Sequence, residues 1–163
     1  MLIRLSKSED VQAIAAIYNE VLTNSTAIFR DLPSSLEERA EWWNSQREKG
    51  YPVLVAEADG KVLGFASFGD FRPWPGYRFT VEGTIHLCPE ARRQGIGTML
   101  LKELISQARN LGKHMLIAGV DADNTASLAL LVKMGFEQTA HMREVGYKFG
   151  RYLDLILLQY KLS

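Results

Sequence analysis

The chain has 163 residues, 47% apolar and 23% charged, the composition of a globular protein large enough to bury one core. Nineteen basic residues balance nineteen acidic ones, so no overall field draws it to nucleic acid or anionic lipid, and any phosphate recognition has to be local. The start lacks the apolar run of a signal peptide, no stretch is long enough to span a membrane, and the single cysteine, Cys88, excludes an internal disulfide, so the cytoplasm is the expected location.

The stretch SKSEDVQAIAAIYNEVL begins with a capping-box spacing, Ser6 to Glu9, and sets Val11, Ile14, Tyr18, Val21 and Leu22 on one helical face. A second helix, with Leu36, Ala40 and Trp43 on its inner side, is expected from the same spacing at Ser35 and Glu38 and ends near Gly50. Both helices are expected before the main sheet. Val53 to Ala58 and Val62 to Phe68 read as a hairpin closed by Asp59-Gly60, which suits the positive backbone angles of a tight turn. The loop GDFRPWPGYR, with two prolines and two glycines, cannot continue either strand. FTVEGTIHLC then predicts a third strand, and a helix from about Gly97 to Leu111 stops at Gly112. HMLIAGV reads as a buried strand, and DNTASLALLVKM as a helix capped by Asp123 or Asn124 and closed by Gly135. Two further strands separated by a glycine-containing loop complete one domain, residues 1–163.

Between the third strand and its helix lies RRQGIG. A turn there aims unpaired backbone N–H groups and the positive end of the helix dipole at one point, the geometry that binds phosphate. Gly95 and Gly97 let the backbone approach an anion, and Arg92 or Arg93 can add a charged contact. The lysine and hydroxyl of a P-loop are missing and the pattern is not GxGxxG, which argues against nucleotide hydrolysis and a dinucleotide fold.

With Arg92, Gly95 and Gly97 in this turn, and Asn124 opening a helix that ends in Gly135-Phe136, the sequence resembles the GNAT superfamily of acetyl-CoA-dependent N-acetyltransferases. The resemblance implies an α+β fold, a mixed, mostly antiparallel sheet flanked by helices and split by the pantetheine arm. It implies that acetyl-CoA is held by Arg92, Arg93, Gln94, Gly95, Ile96, Gly97 and Thr98 at its pyrophosphate, and by Asn124 and the strand residues Ile85, His86 and Leu87 along its arm. No metal is expected, because His86 and Cys88 lack the further ligands of a zinc site.

GYPVLVAE, GDFRPWPGYRFTVE and VGYKFGRYLDL are similar to the subgroup that acetylates phosphinothricin, methionine sulfoximine and methionine sulfone. That likeness implies a homodimer and substrate contacts from Arg72, Pro73 and Trp74 and from Glu82, Gly83 and Thr84. Arg72, Arg78 and Glu82 supply both charge signs within eleven residues, as a carboxylate and an ammonium require, and an arginine fork suits a carboxylate. Trp74 and Phe29 are candidate walls for an apolar stem.

Acetylation needs a neutral amine, and Glu82 is the candidate base, with His86 in reserve. On a strand Glu82, Thr84 and His86 share a face, opposite Gly83, Ile85 and Leu87, unless a bulge alters the parity. Where many relatives carry a tyrosine as general acid this chain has Leu131, leaving water, another residue such as Tyr147, or departure as thiolate. An acetyl relay through Cys88 is a further route, without an evident base to support it. The rival functions are a protein or peptide acetyltransferase of the same fold and a non-catalytic acyl-CoA-binding module.

Overall fold

The computed structural model describes all residues, Met1–Ser163. A seven-stranded sheet runs in the order β1-β2-β3-β4-β5-β7-β6. Its strands are β1 (Leu2–Leu5), β2 (Val53–Ala58), β3 (Lys61–Asp70), β4 (Thr80–Leu87), β5 (Met115–Asp121), β6 (Glu137–Lys148) and β7 (Arg151–Lys161). All neighbours are antiparallel except β4 and β5, a parallel pair that needs the intervening helix as its crossover. The expected mixed, mostly antiparallel sheet is present. The β2–β3 turn has Asp59 at φ 50° and Gly60 at φ 74°, the positive angles that this dipeptide tolerates.

Helices α1 (Val11–Asn24) and α2 (Leu36–Glu48) cover one sheet face, where Val11, Ile14, Ile17 and Trp43 pack on Val53, Val55 and Phe65. Helix α3 (Ile96–Asn110) lies on the other face, where α4 (Thr125–Lys133) adds Leu131 to the same core; Leu100 and Leu104 meet Ala66, Phe68, Val81 and Leu116 there. Alternate residues of β2 and β3 therefore enter two cores, which is why both strands read as continuous apolar runs. Ser35 caps α2 as its spacing predicts, its Oγ accepting from the Glu38 N–H at 3.1 Å. Asn124 does the same for α4 through Ser127.

Two expectations change at the N-terminus. Leu2–Leu5 forms an edge strand against β2, so the sheet begins before the helices. The Ser6 to Glu9 capping box is not formed. Ser6 Oγ instead accepts from Trp43 Nε1 at 2.8 Å, and Asp10 Oδ2 accepts from the Lys7 N–H at 2.6 Å ahead of α1. Arg4 fixes this arrangement by binding both Asp10 and Glu57. No helix is long and apolar enough to cross a membrane.

Candidate active site

Strands β4 and β5 share three paired positions, the last being Glu82 with Ile117. Past this point they part, and the sheet opens between Gly83–Leu87 and Ala118–Asp121. A cavity of about 450 Å³ occupies the opening, and a second of about 810 Å³ leads from Ile85–Leu87 to the RRQGIG turn. The two share Ala27, Ile85, His86, Asn124, Ser127 and Leu130, so they form one path through the sheet.

The strand parity follows from the β3–β4 ladder, which has no bulge. Glu82, Thr84 and His86 lie opposite Gly69, Ser67 and Phe65 and face α1 and α2, whereas Gly83 packs against Leu104 and Leu116 on the α3 side. Cys88 N–H donates to Leu63 on β3. Alternation along an antiparallel strand therefore turns the N–H groups of Ile85 and Leu87 toward the opening.

Glu82 sits where the strands part. Burial pushes its carboxyl above the usual range and the nearby Arg72 charge partly opposes this. His86 lies four residues on, its ring 6.2 Å from Tyr18 and 5.4 Å from Phe65. Although it touches the cavity, protein surrounds the ring, and burial followed by the Arg39 charge pushes its pKa down to about 4. A neutral ring of that pKa is a weak acceptor for an ammonium proton.

In the turn, Arg93 (φ 61°) and Gly95 (φ 78°) both adopt left-handed backbone just before α3. A Cβ at Gly95 would meet nothing within 4 Å, so its glycine is required by angle rather than by space. Gly97 is different. A Cβ there would come 3.3 Å from Leu130, so this glycine serves the approach of α4 to α3. Arg92 is engaged by Glu20 at 3.0 Å, while Arg93 makes no ion pair or side-chain hydrogen bond. Gln94 lies outside both cavities and ties the turn together through Glu90 O at 2.6 Å. Ile96, Gly97 and Thr98 line the larger cavity. Asn124 spends its Oδ1 on capping α4, which leaves its amide donors for a ligand. A pyrophosphate fits this set: a helix N-terminus, an uncommitted arginine and a side-chain amide.

The other expected substrate residues are less gathered. Arg72 is exposed and, like Pro73 and Trp74 of the same loop, lines neither cavity, although its charge reaches Glu82; Trp74 is 69% exposed. Arg78 turns onto its own loop, donating to Pro75 O at 2.9 Å. Phe29 stacks on Gly146 of β6 and lines neither cavity. Tyr147 is exposed against Tyr152, away from the path, and Leu131 is buried in the α3-side core. Burial raises the Cys88 thiol, which disfavours the thiolate that an acetyl relay needs.

Sequence reasoning missed a strap across the opening. In residues 25–28, Thr26 donates to Asp121 at the end of β5, and the Ser25 and Ile28 carbonyls accept from Lys148 of β6 at 2.9 and 2.8 Å. Ala27 and Ile28 thereby become cavity wall. It also missed the α2 side of that wall, Arg39 and Trp42, because it assigned this helix an inner face of Leu36, Ala40 and Trp43 alone.

Comparison with known proteins agrees with this geometry. Residues 14–136 match the model of the Acetyltransferase (GNAT) family. The chain is 43% identical over 163 residues to an L-methionine sulfoximine/L-methionine sulfone acetyltransferase of Salmonella typhimurium, covering 100% of this chain and 95% of that one. It is 40% identical over 162 residues to a phosphinothricin N-acetyltransferase of Alcaligenes faecalis, covering 99% and 82%. A Salmonella typhimurium acetyltransferase solved with its cofactor acetyl-CoA has a TM-score of 0.99 at 42% identity, covering 100% of this chain and 94% of that one. A sheet that opens beside a glycine and arginine turn, together with these matches, makes this chain a member of the GNAT acetyltransferase family.

Proposed function

We propose that the protein transfers the acetyl group of acetyl-CoA to the α-amine of a small amino-acid-like acceptor of the phosphinothricin, methionine sulfoximine or methionine sulfone type, by direct attack in a ternary complex. The observation that carries this reading is the half-buried Glu82 carboxyl, with Arg72 nearby, at the point where β4 and β5 separate. In this reading acetyl-CoA supplies a thioester-activated acetyl group. Its pyrophosphate is held by Arg93 to Thr98 with Arg92 and Gln94 as supports, and its arm by Asn124 and the backbone of Ile85–Leu87. The free N–H groups of Ile85 and Leu87 pair with that arm as a sheet edge pairs with an added strand, and aim donors at the acetyl oxygen.

Glu82 removes the ammonium proton, directly or through one water. An amine whose pKa lies about two units above ambient pH needs on the order of 3 kcal/mol for this, within reach of a positioned carboxylate of raised pKa. The amine forms the new C–N bond as the C–S bond breaks, and the sulfur leaves as thiolate or takes its proton from water, since no tyrosine replaces Leu131. Arg72, together with Gly83 and Thr84 of the cavity wall, meets the amino-acid end; Pro73, Trp74 and Arg78 flank that entrance. The protein works as a homodimer in the cytoplasm. A long edge strand supports the dimer: β6 exposes Met142, Val145 and Tyr147, and Tyr152 of β7 adds to the patch.

The test is acetyl-CoA-dependent thiol release with methionine sulfone, methionine sulfoximine and phosphinothricin, beside lysine-containing peptides. Release with the small acceptors alone is expected. Release with peptides alone transfers the function to protein acetylation, which the exposed loop 71–79 would admit. Coenzyme binding with no release for any acceptor makes the chain a binding module.

A further inference from the structure

Arg39 of α2 stands in the wall of the smaller cavity with its guanidinium half-buried. Its plane lies over two rings, 4.1 Å from the centre of Tyr18 and 5.1 Å from that of Trp42. Nε donates to Ser34 Oγ at 3.0 Å, and Ser34 is itself fixed by two backbone hydrogen bonds with the Asn19 side chain, both 2.8 Å. The cation is thus held in one orientation. Yet it has no ion pair, and Nη1 and Nη2 have no hydrogen bond within the chain. The adjacent Glu38 is committed to Arg30 through bonds of 2.7 and 2.9 Å. Withdrawing a guanidinium from water without giving it an anion is unfavourable unless a ligand completes the site.

One cation, Arg39, lines the cavity, and a second, Arg72, stands outside it near Glu82. The Arg72 charge acts on Glu82, whereas that of Arg39 acts on His86, four residues further along β4 on the same face. Beside Arg39 in the cavity wall stand Tyr18, Trp42, Phe65 and His86, an uncharged and largely apolar surface suited to a methylene stem.

We propose that Arg39 receives the oxygens of the acceptor's side-chain head, a tetrahedral phosphorus or sulfur group, while Arg72 serves the amino-acid end. This rests on the acceptor class proposed above. A planar fork donating to two oxygens of one centre favours an anionic phosphinate over a neutral sulfone, and both over a thioether that offers no such oxygens.

The experiment compares wild type, Arg39→Gln and Arg39→Lys by calorimetric binding in the presence of coenzyme A and, separately, by turnover. The acceptors are phosphinothricin, methionine sulfone and methionine. Arg39→Gln is expected to weaken phosphinothricin about 100-fold, methionine sulfone about 10-fold and methionine less than about 3-fold, with the acetyl-CoA KM unchanged. Arg39→Lys, which keeps the charge, should recover part of the phosphinothricin loss. Equal losses on all three acceptors would make Arg39 a packing residue and overturn the proposal. So would a sulfone loss that disappears with 3-(methylsulfonyl)propylamine, because Arg39 would then read the α-carboxylate. If wild type binds phosphinothricin in an Arg39-dependent way but turns over no acceptor, this assignment stands and the catalytic reading falls. If wild type binds none of the three, both fall.

Discussion

Glu82 and Gly119 meet across the opening between β4 and β5: a Cβ built on Gly119 would lie 3.1 Å from Glu82 Oε1. The absent side chain on β5 is what gives the carboxylate its place. Gly119 does not have positive φ, so alanine there meets no backbone obstacle and acts through the carboxylate. Gly119→Ala is expected to lower kcat at least about 10-fold with stability within about 1 kcal/mol of wild type. Glu82→Gln should lower kcat about 100- to 1,000-fold and leave the acetyl-CoA KM alone. Because burial raises the Glu82 carboxyl, the acid limb of kcat/KM should lie above the ordinary carboxylate range and vanish in Glu82→Gln. A pH–rate profile measures both, and wild-type rates in Glu82→Gln would place the base elsewhere.

His86 links the same strand to acid stability. Its folded pKa of about 4 lies below the ordinary imidazole value of 6.5. As pH falls through 6.5 the unfolded chain takes up this proton first, so stability is fully present above 6.5 and declines down to about pH 4. The loss attributable to this group is about 3 kcal/mol. His86→Phe, which keeps the ring contacts with Tyr18 and Phe65, should flatten that decline. Denaturant unfolding at pH 7.5 and 5 tests it, and an identical pH slope in the variant would show that the imidazole is not the group responsible.

The arginines of the turn should differ although they are adjacent. Arg92 is paired with Glu20, whereas Arg93 is uncommitted. Arg93→Ala is expected to weaken acetyl-CoA about 10- to 100-fold, the worth of a charge-assisted bond, and Arg92→Ala less than about 5-fold. Titration calorimetry with each variant decides it, and the reverse order would mean that Arg92 leaves Glu20 when the coenzyme binds.

Legibility in the sequence tracked the distance over which each feature is determined. The Asp59-Gly60 turn, the Ser35 cap, the Gly112 stop and the RRQGIG turn depend on residues a few positions apart, and each could be located by spacing alone. Strand β1 has only four residues and exists through its pairing with β2, some fifty positions later, so local pattern carried little of it. Ser6 to Glu9 matched a local rule but lost to Trp43 and Arg4, which engage Ser6 and Asp10 from outside the segment. The face parity of β4 was legible because period two is intrinsic to a strand. The wall opposite it was not. Arg39 resembles any solvated helix arginine until α1 brings Tyr18 beneath it. Glycine again shows the difference: the need for Gly95 is local, while that for Gly97 comes from Leu130 on another helix.

The edge strand β6 predicts assembly. Its aromatic and apolar side chains favour a partner that covers them, and in the proposed homodimer a second copy would do so with the same patch. Light scattering at micromolar concentration should give twice the chain mass. The pair Val145→Glu and Tyr152→Glu should shift that mass toward the monomer without unfolding the chain. A monomeric wild type would remove the homodimer.

Lys148 makes the strap testable. It is 1% exposed, and its ammonium donates to the Leu22, Ser25 and Ile28 carbonyls at 2.5, 2.9 and 2.8 Å, using all three hydrogens. It therefore closes the C-terminal end of α1 and draws residues 25–28 over the opening, with Thr26 held from the other side by Asp121. A buried lysine is tolerable only because these carbonyls surround it, and its pKa is lowered by the burial. Lys148→Met fills the same space but leaves the carbonyls unpaired, for an expected loss of about 2 to 4 kcal/mol. The freed strap should raise the acceptor KM more than the acetyl-CoA KM, because Ile28 lines only the smaller cavity. Trypsin gives a second readout, since Arg30 lies just beyond the strap and is bonded to Glu38. Cleavage after Arg30 should accelerate in Lys148→Met under conditions where both proteins remain folded by circular dichroism. Unchanged cleavage with unchanged acceptor KM would mean that Thr26 and Asp121 hold the strap without Lys148.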